Sequence, residues 1–256
     1  MRKALYASAA VLLLAAVSFA ADQQAPAPAV EPEAQKIVKA LSDAQRAKGQ
    51  IIRIVVHDTS DEIMETGEMI QYGHVRTAVV RWPDGLWMES RGDQANVTLW
   101  YDGAAFTLLD RSANEYVQVK APATIDEAID MVYDRYGIST PLADMLSGDI
   151  YDVLMDGVVT CRYLGTGLVG DTPCHHIAAT QANIDWQAWI DQGDKPWLRK
   201  IAINYKNLPG SPRYSAVLVE AQDSAVVPGT LFVFQPPAGA KQIEPAARDK
   251  DEKPRL

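Results

Sequence analysis

His74-Val-Arg-Thr-Ala-Val-Val-Arg-Trp82, Leu86-Trp-Met-Glu-Ser90, Ala95-Asn-Val-Thr-Leu-Trp-Tyr101, Ala105-Phe-Thr-Leu-Leu109 and Glu115-Tyr-Val-Gln-Val119 follow one another along residues 74–119. These runs are rich in β-branched and aromatic residues. Turn-forming residues bound them: Pro83-Asp84-Gly85, Arg91-Gly92-Asp93, Asp102-Gly103 and Ser112-Ala113-Asn114. Short apolar runs joined by tight turns read as a meandering antiparallel sheet. Upstream, Ile52, Ile54 and Val56 alternate with Arg53, Val55 and His57, and the period-two pattern continues through Glu62–Tyr72 to a break at Tyr72-Gly73. It resumes at Val158 and runs to about Phe234.

Helical spacing interrupts the sheet. Thr124-Ile-Asp-Glu127 is a capping box, and Ile125, Ala128, Ile129, Val132 and Tyr136 then form one apolar face closed by Gly137. A second short helix is predicted at 141–146, and 149–155 adds a turn. An earlier helix over 31–49 starts at Pro32 and stops at Gly49, with Ala34, Ile37, Leu41 and Ala44 on one side. A long one-sided sheet must cover its apolar face, and few helices are available. The expected fold is α+β: a strongly curved antiparallel sheet forming an open half-barrel, with helices plugging its concave side. Such a barrel leaves an apolar cavity. From the pattern, Val79, Trp87, Trp100 and Leu108 line it, and Ile125, Ile129 and Val132 close it.

The N-terminus gives an address. Arg2 and Lys3 precede an uncharged apolar run from Ala4 to Phe19, which ends in a small-x-small site before Ala21. This is the pattern of a secretory signal over 1–20. No cysteine follows to take a lipid. Residues 21–30 read as a flexible lead-in, 31–244 as a single domain, and 245–256 as a disordered charged tail. The expected product is a soluble periplasmic protein, a monomer, without an integral membrane span. The chain carries a net charge of −9, and the part after residue 20 is near −11. That charge argues against nucleic acid, which needs clustered Lys and Arg.

Chemical motifs are weak. Gly165-Thr-Gly167-Leu-Val-Gly170 fits a dinucleotide glycine pattern, but no helix follows it, so the glycines read as hairpin bulge and turn. Cys174-His175-His176 cannot grip one ion, because adjacent strand residues point to opposite faces. Asp185, Asp191 and Asp194 read as solvated turn residues. No nucleophile triad or phosphate loop appears. No cofactor, no metal and no enzyme activity are expected. Cys161 and Cys174 are the only cysteines. The export compartment favours a disulfide. The predicted hairpin, with Cys174 opposite Gly167 and Cys161 opposite Thr180, separates the sulfurs by roughly 20 Å. The pairing is left open.

Taken together, Trp100-Tyr-Asp-Gly103, Ala121-Pro-Ala-Thr-Ile-Asp-Glu127, Thr140-Pro-Leu-Ala-Asp144, Asp185-Trp-Gln-Ala-Trp-Ile190, Pro196-Trp-Leu-Arg-Lys-Ile201 and Phe234-Gln-Pro-Pro-Ala-Gly-Ala240 resemble the DUF2092 family of predicted periplasmic proteins. Ala221 stands where that family has a tryptophan. The family in turn resembles the lipoprotein-carrier superfamily. The resemblance implies an open barrel that holds acyl chains, with a lipid or lipidated protein as partner. Arg81-Trp82-Pro83 is similar to an Arg-Pro element of the carriers, which implies that Arg81 and Trp82 lie at the cavity mouth against the lid. The alternative is a non-catalytic module that senses or scaffolds another envelope protein. N-terminal sequencing of protein from the envelope fraction should begin at Ala21. Intact Met1 in the membrane pellet would contradict the signal.

Overall fold

The computed structural model describes residues 29–44, 50–94, 96–136 and 149–245. The predicted signal, most of the lead-in, residues 45–49, the helix at 141–146 and the tail from 246 lie outside these. One 12-stranded sheet runs in the order β12-β6-β5-β4-β3-β2-β1-β11-β10-β9-β8-β7, and its two end strands do not meet. It is a strongly curved, unclosed sheet with helices on one face. The strands are β1 (Ile51–Ile63), β2 (Met69–Arg81), β3 (Gly85–Gly92), β4 (Asn96–Tyr101), β5 (Ala105–Asp110), β6 (Glu115–Lys120), β7 (Thr160–Val169), β8 (Thr172–Thr180), β9 (Ile184–Asp191), β10 (Leu198–Tyr205), β11 (Arg213–Gln222) and β12 (Lys241–Gln242). All neighbours pair antiparallel except β12, which lies parallel to β6. The helices are α1 (Pro32–Ala44), α2 (Ile125–Tyr136) and α3 (Ile150–Met155).

Three local readings change. The first turn falls at 64–68, where Gly67 takes φ 89° and Met64 N–H donates to Glu68 O at 2.9 Å. The break expected at Tyr72-Gly73 is uninterrupted strand, with Gly73 opposite Thr59. It is the facing Gly92 that serves close approach: a Cβ there would stand 2.2 Å from Gly73 O. The last long strand stops at Gln222, not near Phe234. Residues 223–240 form an arm with a single 3-10 turn at Gly229–Phe232. Finally, Cys161 faces Ala179 rather than Thr180, because a bulge between Tyr163 and Gly165 inserts one residue. Gly165 takes φ 101° there.

Two apolar clusters cover the concave face. α1 buries Ala34, Ile37, Val38 and Leu41, the i, i+3, i+4, i+7 stripe of a one-sided helix. With α3 it packs on β7–β11, against Ile177, Trp186, Ala188, Ile201 and Tyr214. α2 packs on β1–β6, against Ile52, Ala78, Val80, Leu86, Met88 and Tyr101. Ile54 touches both clusters, so they share one face of one sheet.

The bulge has a chemical consequence. It moves Cys161 and Cys174 onto opposite faces, and both thiols are free and fully buried. Burial, helped by Glu31, pushes the Cys161 thiol up to about 11, and burial also raises Cys174. A buried, protonated thiol is a poor nucleophile. Titration with a thiol-exchange reagent near pH 8 should therefore find no reactive thiol in the native protein and both in denaturant. Reaction of either in the native state would contradict this placement.

Candidate functional site

The concave face under α2 is built from alternate residues of five strands. Ala78, Met88, Leu99 and Leu108 align in one cross-strand row. Val80, Leu86, Tyr101 and Phe106 form the next. α2 lowers Ile125, Ala128, Met131 and Val132 onto these rows, with Ile129 at its half-buried margin. Of the seven predicted lining residues, the structure brings together Leu108, Ile125, Ile129 and Val132.

Val79, Trp87 and Trp100 are not in this cluster. They register with one another and with Thr107 in a row on the convex face. The 223–240 arm covers that face. Phe234 packs its ring 5.0 Å from Trp100 and 4.8 Å from Tyr116. Both faces of β2–β4 are therefore apolar, and alternation alone could not tell which receives the helix.

The expected mouth pair also divides. Trp82 joins the α2 cluster. Arg81 has the convex parity of Val79: its guanidinium lies 4.5 Å over the Phe232 ring, and its Nε donates to Asp84 at 2.9 Å. Pro83 supplies the lid contact, its carbonyl accepting from Ile125 N–H at 2.8 Å. Tyr101 OH donates to Pro122 O at 2.6 Å. Thr124 Oγ1 accepts from Glu127 N–H and donates to the Glu127 carboxylate, which caps the helix. Directional bonds thus hold the N-terminal end of α2, and apolar contact holds its body. Burial, and after it the Asp84 carboxylate, pushes the Tyr101 phenol up to about 12, so it stays a donor at physiological pH.

Along the same concave face lies a polar island that the sequence reading passed over. Asp58 continues the stripe Ile52, Ile54, Val56 and has no exposed side-chain surface. Arg76 holds it through Nε at 2.8 Å and Nη2 at 3.2 Å. His74 brings Nδ1 to 3.5 Å from Asp58 Oδ2, short of a hydrogen bond. The imidazole lies against Gly92, where a Cβ would approach its Cδ2 to 2.6 Å. A fork-shaped pair of this kind satisfies a buried carboxylate that would otherwise be very costly. The signal available was a charged residue at a core-facing parity.

Elsewhere, a cleft of about 240 Å³ opens between α1 and the end of β9, lined among others by Lys36, Ile37, His175, Ile190 and Pro196. Asp191, expected in solvent, is buried beside it. Its carboxylate accepts from Trp197 N–H at 2.9 Å and from Arg199 Nε at 2.8 Å, fixing the β9–β10 connection. His175 Nδ1 meets Tyr163 OH at 3.1 Å, whereas His176 stacks on Trp189 on the other face. Among the described residues no group of three or more His, Cys, Asp or Glu could hold a metal. No helix among them is long and apolar enough to cross a membrane.

The chain matches the family described as "Predicted periplasmic protein (DUF2092)" over residues 34–245, and it belongs to that family. The family's description places it in the periplasm. No curated protein matches it in sequence. Solved structures of similar fold include an uncharacterized conserved protein from Thermus thermophilus, at 8% identity and TM-score 0.49, covering 83% of this chain and 99% of that one. Another is the lipoprotein LppX of Mycobacterium tuberculosis, at 12% identity and TM-score 0.44, covering 77% and 98%. A third is a LolA superfamily protein from Nitrosomonas europaea, at 8% identity and TM-score 0.36, covering 78% and 97%.

The anchored end of α2 can be tested. Tyr101→Phe removes the bond to Pro122 O and leaves a carbonyl unpaired, which should cost about 1–2 kcal/mol. For a chain of this size that lowers Tm by roughly 2–8 °C. Limited proteolysis should then cut within 125–136 faster than in wild type. An unchanged Tm would show that the hydroxyl does not hold the helix.

Proposed function

We propose that this periplasmic protein binds a lipid or a lipidated protein and carries it by burying acyl chains between the concave face and α2. The observation that carries the reading is the apolar seam between the two clusters. Ile54 contacts both of them. Trp197, which follows β9, reaches across to the α2 cluster. Trp82, Leu108, Ile129 and Tyr136 line the same cluster and are only half-buried. Apolar contact is non-directional, so an acyl chain can replace the contacts of the α2 body without leaving polar groups unpaired. The bonds at Pro83 and Pro122 then act as the hinge.

Each buried CH₂ contributes about 0.8 kcal/mol, so roughly ten methylenes would supply about 8 kcal/mol before ordering costs. Such binding is tight yet reversible, as a carrier requires. Release needs the α2 body to lift from Val80, Leu86 and Met88.

Ile129 sits where chain and lid would meet. Ile129→Glu should abolish uptake of a fluorescent fatty acid and lipid co-purification, because a carboxylate against an acyl chain has no partner. Circular dichroism must show the variant folded. Ile129→Leu should bind as wild type does. Folded wild type that carries no lipid and takes up no fluorescent fatty acid would overturn the carrier reading.

A further inference from the structure

Three buried polar atoms on the concave face have no hydrogen-bond partner among the described residues: Trp186 Nε1, Tyr214 OH and His74 Nδ1. They are not scattered. Trp186, Ile203, Tyr214 and Ser60 form one cross-strand row. His74, Asp58, Ala216 and Ile201 form the adjacent row. The three residues are buried, at 2%, 4% and 8% exposure. Native proteins pair nearly all buried polar groups, since an unpaired one costs about 1–3 kcal/mol. Three on one arc of one face ask for an explanation that a lone exception would not. The arc lies within the α1 ground, which supplies Trp186, Ile201, Ile203, Tyr214 and Ala216, and it begins one step along β1 from Val56, beyond the seam at Ile54.

We propose that Tyr214 and Trp186, with His74 beside the Asp58–Arg76 pair, form a polar subsite that accepts the oxygen-bearing head of an acylated ligand, namely the carbonyl oxygens of its ester or amide linkage. The chemistry follows from the orphans. Trp186 Nε1 can only donate. Burial, and then the Asp58 carboxylate, pushes the Tyr214 phenol far above its usual range, so it keeps its proton and donates too. The Arg76 charge is already met by Asp58, so the site offers no spare cation to a bare anion. Two neutral donors suit a neutral acceptor. Acyl chains held under α2 reach the arc across the seam at Ile54 and Val56, and the carbonyls sit on the arc. This assignment rests on the carrier reading and names the part of the ligand that the apolar faces cannot recognise.

The test uses the full exported chain and three pyrene-labelled probes: a fatty-acid methyl ester, an N-acyl amide and the plain alkane of equal length. Tyr214→Phe deletes one donor with little change of shape. It should weaken the ester and the amide about tenfold, one lost hydrogen bond, and leave the alkane unchanged. The free variant should melt no lower than wild type, because a hydroxyl without a partner contributes nothing when removed. Equal affinities of Tyr214→Phe and wild type for every probe would overturn the subsite. So would a lower melting temperature of the free variant, which would mean that the hydroxyl is already bonded. Wild type that binds no probe overturns the carrier reading as well, and that result is distinct from the first two. The source of the carbonyl is read by competition. Displacement of the ester probe by glyceryl monopalmitate but not by an N-palmitoyl peptide assigns a lipid, and the reverse assigns a lipidated protein. Failure of both to compete at concentrations that displace the plain alkane overturns the subsite.

Discussion

Strand β1 lies between β2 and β11, and among the described residues it is the strand through which the two halves of the sheet exchange backbone hydrogen bonds. Its even-numbered residues do several jobs in succession. Ile52 belongs to the α2 cluster, Ile54 touches both clusters, Val56 belongs to the α1 cluster, and Asp58 anchors Arg76. Period-two geometry puts all four on one face, so the strand carries lid support, seam and polar island in a space of seven residues. A one-residue slip would turn the apolar set to the outside and bury Arg53, Val55 and His57 in its place. The two apolar grounds share one surface because β1 is continuous through both.

An open sheet has two exposed edges and an uncovered back, and the chain deals with these by different means. The 223–240 arm crosses the back and ends in β12, which pairs with the edge strand β6. The other edge, β7, is met by Ala29–Glu31: Glu31 N–H donates to Cys161 O, and the Glu31 carboxylate accepts from Tyr163 N–H. Covering an edge suppresses unwanted strand addition. The arm also changes what the convex face is. Trp100 and Arg81 on that face are covered because Phe234 and Phe232 arrive from more than 130 residues later in the chain.

Much of the fold was legible because it depends on local patterns. The capping box at Thr124, the apolar stripe of α1, the turns at Asp84-Gly85 and Asp102-Gly103, and the hairpin at Gly170 are each fixed by residues close in sequence. The candidate site was legible only in part. Ile125, Ile129 and Val132 sit on the lid face as helical spacing required. Val79, Trp87 and Trp100 share a row, as strand alternation suggested, but Leu108 belongs to the opposite face. The parity relation between β4 and β5 is set by register across the turn, not by either strand. The bulge at Leu164 is a similar case: one inserted residue exchanges the faces on which Cys161 and Cys174 lie, and only the pair Gly165 and Gly167 hinted at it.

The sequence by itself determined most of the secondary structure and the family, because propensity, capping and short motifs act over a few residues. Tertiary structure alone decided which face of β2–β4 is the inside. Both faces are apolar, and the choice depends on where α2 lands and where the 223–240 arm lies. It also decided that Asp58, His74, Arg76, Trp186 and Tyr214 share one arc. These residues come from four strands that meet only when β11 pairs with β1, more than 150 positions apart in the chain. No local pattern encodes that pairing, since it arises from burying the apolar faces of the whole sheet at once.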